Sequence, residues 1–148
     1  LAREAIETLT QDPDWNPALA LMQEIPPNLE CLADPQMIRQ VLLNLITNSA
    51  NACRNMEKGE IVLRAEATAT EGEETSEAFI ILEIADNGHG IPENIRDKIF
   101  DPFFTTRETG TGLGLAIVRQ IVHSHGGEIF LRDYQPQGKI FTVSLPLQ

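Results

Sequence analysis

Five amide side chains recur along one stretch of this chain at spacings that bring them onto a single helical face. Gln40, Asn44, Asn48, Asn51 and Asn55 follow one another at intervals of four, four, three and four residues. Asparagine is a poor residue for a helix interior because its short side chain competes for backbone hydrogen bonds, and a plain solvent face would carry Glu, Lys or Gln instead. Amide oxygens along one wall are suitable ligands for a hard divalent cation such as Mg²⁺, which keeps waters and phosphate oxygens as its other partners. Two glycine clusters lie downstream. The first, Asp86-Asn87-Gly88-His89-Gly90-Ile91-Pro92, follows an apolar run over residues 79–84, so a carboxylate sits just past a strand end where the backbone turns freely. The second, Gly110-Thr111-Gly112-Leu113-Gly114-Leu115, opens into the helical pattern Leu115, Ile117, Val118, Ile121, Val122. Its free backbone N–H groups therefore sit at a helix N-terminus, where anions are favoured. The stretch from one cluster to the other reads as a nucleotide-binding loop.

The elements that must position these groups follow from patterning. At 148 residues and 42% hydrophobic, the chain is long enough to bury one core without metal or disulfide support. Residues 1–9 have helical spacing and lead into a linker over residues 11–17, on which Trp15 docks against the core. Residues 18–23 and 29–32 predict two strands joined by a turn at Pro26-Pro27-Asn28. Asp34-Pro35 is an N-cap followed by proline at the first helical position, and residues 36–56 continue with helical period until the break at Gly59. Residues 61–67 and 78–85 alternate as paired strands, with the acidic insert 68–77 as a solvated hairpin loop. A helix begun at Gly112 closes at Gly126-Gly127, and strands over 128–133 and 139–145 complete an antiparallel or mixed sheet covered on one face by helices.

Charge narrows the function. A net charge of −11 gives no basic footprint for nucleic acid, and it makes binding of a polyanion such as ATP depend on local charge and a divalent cation. No apolar stretch has the length of a membrane span and no signal peptide opens the sequence, so no membrane contact is expected. Cys31 and Cys53 have no CxxC partner and lie in apolar surroundings, which suits reduced, buried thiols in the cytoplasm.

In order and spacing, LLNLITNSANA, DNGHGIP, IFDPFFTTR and GTGLGLAIV resemble the N box, first glycine box, phenylalanine box and second glycine box of sensor histidine kinases. The match runs over residues 33–145, and four ordered motifs are far more specific than one glycine-rich loop. The resemblance implies an α+β fold, the two-layer α/β sandwich of the Bergerat or GHKL type shared with DNA gyrase, mismatch-repair ATPases and the ninety-kilodalton heat-shock chaperone. Residues 18–148 would be the ATP-binding domain, and residues 1–17 the end of a preceding helix with its linker. By the same resemblance Asn48 is the principal Mg²⁺ ligand and Asn44 a second ligand or phosphate contact. Asp86 accepts from the adenine amino group, Gly88 and Gly90 let the backbone approach the base, and Ile91 packs on the ring. Phe100, Phe103 and Phe104 anchor a lid whose Thr105, Thr106 and Arg107 face the phosphates, with its far hinge at residues 110–114. The amides of Gly112, Leu113 and Gly114 and the Thr111 hydroxyl meet the β and γ phosphates, with Leu115 beginning the helix behind them.

Three departures from the family stand out. Asn51 occupies a position where many members carry a lysine or arginine that reaches the phosphates, shifting that load toward Arg107. Lys139, in Gly138-Lys139-Ile140-Phe141, replaces a threonine whose hydroxyl helps to hold the adenine-binding Asp through water. No segment resembles a dimerisation helix with a phospho-acceptor histidine, and His89, His123 and His125 read as bystanders. The resemblance thus implies a catalytic fragment of a protein-histidine kinase. Asn44, Asn48 and Arg107 would assist transfer of the γ-phosphoryl of Mg-ATP to a dimerisation domain of the same parent chain, and onward to a response regulator receiver domain. The isolated domain is expected to be monomeric and the parent homodimeric. The alternative is a GHKL-type switch that hydrolyses ATP or transfers nothing. ATP-hydrolysing relatives place a glutamate four residues before the metal-binding asparagine, where this chain has Asn44, and an amide cannot take a proton from water.

Overall fold

The structure is a computed structural model that describes residues 1–69, 77–108 and 110–147. Among the described residues three α-helices, α1 (Ala2–Thr10), α2 (Pro35–Ala52) and α3 (Gly114–Ser124), accompany five strands, β1 (Ala20–Glu24), β2 (Glu60–Ala69), β3 (Ala78–Asp86), β4 (Glu128–Asp133) and β5 (Lys139–Leu147), with a short 3-10 turn over Glu93–Ile95. The strands form one mixed sheet in the order β1-β2-β3-β5-β4. Only the β1–β2 pair is parallel. Strand alternation sorts the side chains. Ile61, Leu63, Leu82, Ile84, Phe141 and Val143 share the main core with Val41, Leu45 and Ile46 of α2 and with Val118 and Val122 of α3. Val62, Ala85 and Ile140, one residue out of phase, form a separate small cluster with Tyr134. Two exposed ion pairs belong to that second face, Arg64 Nε to Glu24 at 2.6 Å and Arg132 Nη2 to Glu83 at 2.7 Å. The fold is the expected α+β sandwich.

Several local expectations change. Residues 29–32 form no strand. Pro26 and Pro27 supply no backbone donors for a hairpin ladder, and β1 satisfies its own groups in parallel with β2. Leu32 is left exposed, and so is Cys31, which was expected to be buried. Helix α2 stops at Ala52 and not at residue 56, because at Cys53 the backbone leaves helical geometry while its N–H still reaches the carbonyls of Ser49 and Ala50. Helix α3 starts at Gly114, two residues after Gly112. Residues 1–17, expected as the end of a preceding helix with its linker, pack on the rest: Ala5 is fully buried in the main core, and Arg39 Nη2 donates to Thr8 Oγ1 at 2.7 Å. Trp15 packs on the same core, as expected. Residues 70–76 of the acidic insert lie outside the described residues.

The start of α2 is fixed twice. Asp34 Oδ1 accepts from the N–H groups of Gln36 at 2.9 Å and Met37 at 3.2 Å, the cap that Asp34-Pro35 foretells. The Asp34 N–H in turn donates to Nε2 of His125 at 3.2 Å, while Nδ1 of that ring lies 2.8 Å from the Ile121 carbonyl. These partners assign the proton to Nδ1 and leave Nε2 as the acceptor. His125 is therefore no bystander; it ties the end of α3 to the start of α2. Asp34→Ala is expected to cost about 1 to 2 kcal/mol in urea unfolding, the scale of a lost N-cap. A loss below about 0.3 kcal/mol would show that neither N–H depends on the carboxylate.

Candidate functional site

Helix α2 presents its amides unevenly. Gln40 is exposed, and Asn55 lies beyond the helix end, so the stripe reduces to Asn44, Asn48 and Asn51, all half-buried. Asn44 faces the start of α3: its Oδ1 lies 3.6 Å from where a Cβ on Gly114 would stand, and its Nδ2 is buried without a hydrogen-bond partner. A buried amide donor left unmatched costs free energy, so the geometry favours an oxygen-rich ligand between α2 and α3. Its own Oδ1 is the type of donor atom that a hard cation takes. Asn51 Oδ1 accepts from Arg54 Nη2 at 3.2 Å, which brings a cation beside the position that departs from the family pattern.

The lid segment joins this end through backbone contacts. The Phe103 N–H donates to the Gly112 carbonyl at 2.9 Å, and Phe103 itself has φ +66° with its side chain exposed. Gly112 has φ +71°, and a Cβ there would overlap the Phe103 backbone, so only glycine lets the two hinges close on each other. The three phenylalanines divide. Phe100 stacks edge-on against Phe141 at 6.2 Å, with the Arg119 guanidinium over its other side, and Phe104 packs on the core, but Phe103 faces solvent. Thr105, Thr106 and Arg107 are exposed; Thr105 Oγ1 accepts from the Arg107 N–H at 3.1 Å. Thr109 lies outside the described residues. The Leu113 N–H points at Thr111 Oγ1, 3.4 Å away, and Leu115 packs half-buried on the core.

The other end of the site is a buried charge. Asp86, the last residue of β3, is fully buried; Gly88 N–H donates to its Oδ1 at 3.0 Å, and Lys139 Nζ donates to its Oδ2 at 2.8 Å. Lys139 is itself buried and stands directly across from Asp86 in the β3–β5 register. Gly138, at φ +118°, lies so close that a Cβ would overlap the Asp86 carbonyl oxygen. Asn87 pins the loop to the start of β2, accepting from the Glu60 N–H at 2.7 Å and donating to the Lys58 carbonyl at 2.9 Å. Ile91 packs half-buried on the core, and its carbonyl accepts from Arg96 Nε at 3.1 Å. Burial pushes the nearby Cys53 thiol up, the Asp86 charge pushes it further, and Lys139 opposes both. Sequence reasoning noted Lys139 only as a missing hydroxyl. The signal for its partner was alternation: Lys139 has the parity of Phe141, Val143 and Leu145, and Asp86 that of Ile84 and Leu82, so both face inward.

Residues 33–148 match the model of the family described as "Histidine kinase-, DNA gyrase B-, and HSP90-like ATPase". The chain belongs to this ATPase family. Within it the chain is similar to "Sensor histidine kinase ZraS" of Escherichia coli strain K12, 42% identical over 118 residues, which are 80% of this chain and 23% of ZraS. The chain thus spans about a quarter of that curated relative. Among solved structures, the catalytic domain of histidine kinase ThkA in a nucleotide-free form superposes with TM-score 0.78 at 32% identity, over 99% of this chain and 91% of that one. Full-length ShkA in complex with AMPPNP superposes with TM-score 0.77 at 28% identity, over 99% of this chain and 29% of that one. The amide wall, the glycine clusters and the buried Asp86 all lie within the matched residues 33–148. Among the described residues no helix is long and apolar enough to cross a membrane.

The hinge makes a differential expectation. Gly112→Ala is expected to destabilise the domain by about 1 to 3 kcal/mol, since it adds a left-handed backbone strain to the overlap with Phe103. Gly114→Ala, where the new methyl meets only ordinary contacts, should stay within about 0.5 kcal/mol of the parent. Urea unfolding of the two variants checks this, and equal losses would mean that the Phe103–Gly112 contact is dispensable.

Proposed function

We propose that this chain is the ATP-binding catalytic domain of a sensor histidine kinase, acting in the cytoplasm on a histidine carried by a dimerisation domain of its parent protein. The phosphoryl group then passes to a response regulator receiver domain. The observation that carries the reading is the meeting of an unmatched Asn44 amide with the glycine-opened start of α3, on a helix that carries Asn44, Asn48 and Asn51 half-buried along one stripe. Such a wall binds phosphate and cation but offers water no base.

Each group has a role in that reading. Asp86 accepts from the adenine amino group, Gly88 and Gly90 leave room for the base, and Ile91 covers its ring. Backbone N–H groups of Gly112, Leu113 and Gly114, with the Thr111 hydroxyl, receive the β and γ phosphates at the start of α3, flanked by Gly110 and Leu115. Asn48 and Asn44 hold Mg²⁺ through their amide oxygens, with Asn51 beside them; when bound, the cation neutralises phosphate charge. Phe104 seats the lid, so that Thr105, Thr106 and Arg107 reach the γ phosphate. Transfer itself needs alignment more than covalent help from the protein. The imidazole lone pair of the incoming histidine forms the new N–P bond, the bond from phosphorus to the bridging oxygen breaks, and ADP leaves with the electron pair. An acidic domain of net charge −11 gains little from long-range attraction, so local neutralisation sets affinity.

The test is to mix the domain with labelled ATP, Mg²⁺ and the dimerisation helices of the parent. Label on histidine is expected, and its absence alongside tight ATP binding would favour the non-transferring switch. Chelator should weaken ATP binding in calorimetry, and equal affinity without metal would remove Asn48 and Asn44 from a cation site. The domain alone should hold ATP with negligible turnover. Asn44→Glu is expected to raise hydrolysis, because general-base assistance is worth about 10² to 10⁴-fold when a carboxylate reaches an in-line water. Robust hydrolysis by the unmodified domain would contradict the kinase reading.

A further inference from the structure

We propose that Lys139 is a second base-reading residue, whose ammonium donates to the N1 ring nitrogen of adenine while Asp86 accepts from the adjacent amino group. The inference rests on the ATP-binding reading above and adds a residue to it. Lys139 Nζ lies 2.8 Å from Asp86 Oδ2, and the lysine side chain is only 2% exposed. An ammonium carries three N–H donors and no acceptor. Asp86 takes one of them. Asp86 is its one hydrogen-bond acceptor among the described residues, and the Phe141 ring, 5.9 Å away at its centroid, attracts a cation but accepts no directed hydrogen bond comparable to that of an oxygen or nitrogen. Two donors are therefore buried without an acceptor, a costly arrangement unless something from outside the chain completes it.

The missing partner is defined by what stands next to the lysine. Among the described residues Asp86 Oδ1 accepts only the Gly88 N–H and Oδ2 only Lys139, and each carboxylate oxygen has a further lone pair. The couple thus presents one acceptor and one donor side by side, 2.8 Å apart. The pairing edge of adenine presents the complement, an amino donor beside the N1 acceptor. A threonine hydroxyl, as the resemblance leads one to expect here, is too short to do this without water. The lysine spans the distance itself and brings a charge that offsets that of Asp86. Both residues face inward from adjacent strands, and the close approach of Gly138 to Asp86 holds them in register.

The inference is tested by calorimetry with Mg²⁺ and three nucleotides: ATP, 1-deaza-ATP, which has C–H in place of N1, and 3-deaza-ATP as a control for ring chemistry. The unmodified domain should bind ATP about tenfold or more tightly than 1-deaza-ATP, the scale of one hydrogen bond to a charged donor, with a smaller loss for 3-deaza-ATP. In Lys139→Met the preference for ATP over 1-deaza-ATP should fall to about twofold or less, whatever the overall affinity. A lysine that merely supports the fold would weaken both nucleotides by the same factor, and an unchanged ratio in Lys139→Met overturns the inference. Equal losses for the two deaza analogues with the unmodified domain also overturn it, and that comparison needs no variant to fold. Failure of the unmodified domain to bind ATP at all would instead sink the ATP-binding reading.

Discussion

A carboxylate and an ammonium, both removed from water, face each other across two central strands. Desolvating two charges costs several kcal/mol each, and their attraction compensates only when geometry and additional hydrogen bonds are good. The chain meets that condition with backbone. Asp86 takes the Gly88 N–H on one oxygen and Lys139 on the other, and Gly138 allows the turn after β4 to press against the Asp86 carbonyl. Removing either charge would leave the other buried and unpaired, a loss of about 3 to 5 kcal/mol by the usual scale. The loop after β3 cannot drift from β5 without breaking this pair, so the position of the first glycine cluster is set by electrostatics within the sheet.

The end proposed for phosphate, between α2 and α3, is built on a different principle. Its parts are polar groups left short of partners: the Asn44 amide, and the N–H groups at the start of α3. What positions them is apolar packing. Leu45 and Ile46 on α2 and Val118 and Val122 on α3 share one core, and His125 with the Asp34 cap ties the end of one helix to the beginning of the other. On the proposed reading, a ligand spanning both ends couples the charge-locked loop at Asp86 to a helix pair whose polar groups it completes. The lid lies between, clipped at its hinges by the Phe103–Gly112 hydrogen bond and seated by Phe100 and Phe104.

Most of this was legible because the signals were local. The Asp34-Pro35 cap, the alternation of residues 61–67 and 78–85, and the glycines at both ends of α3 each act within a few residues, and the corresponding elements form there, α3 starting two residues later than expected. The failures have physical reasons of the same kind. The strand expected at 29–32 was apolar enough, but a strand needs an edge to pair with, and periodicity carries no information about that. The amide stripe ran on to Asn55 because helix period cannot show where the backbone turns, which here is Cys53. Lys139 was seen only as a lost hydroxyl. Its pairing with Asp86 joins residues 53 positions apart and follows only from strand register. Alternation along β5 contained the clue, a lysine in the phase of Phe141 and Val143.

The central claim is that one ligand bridges the buried pair and the amide wall, and amide NMR of the domain titrated with Mg-ADP addresses it most directly. The account predicts that Asp86, Gly88 and Gly90 shift together with the side-chain amides of Asn44 and Asn48 and the backbone of residues 110–115, all with one dissociation constant. One cleft away from both ends serves as an internal control, about 170 Å³ in volume and lined by Glu24, Arg64 and Glu83 on the opposite face. Shifts centred on the Glu24–Arg64 cleft, with Asp86 and Asn48 unmoved, would contradict it.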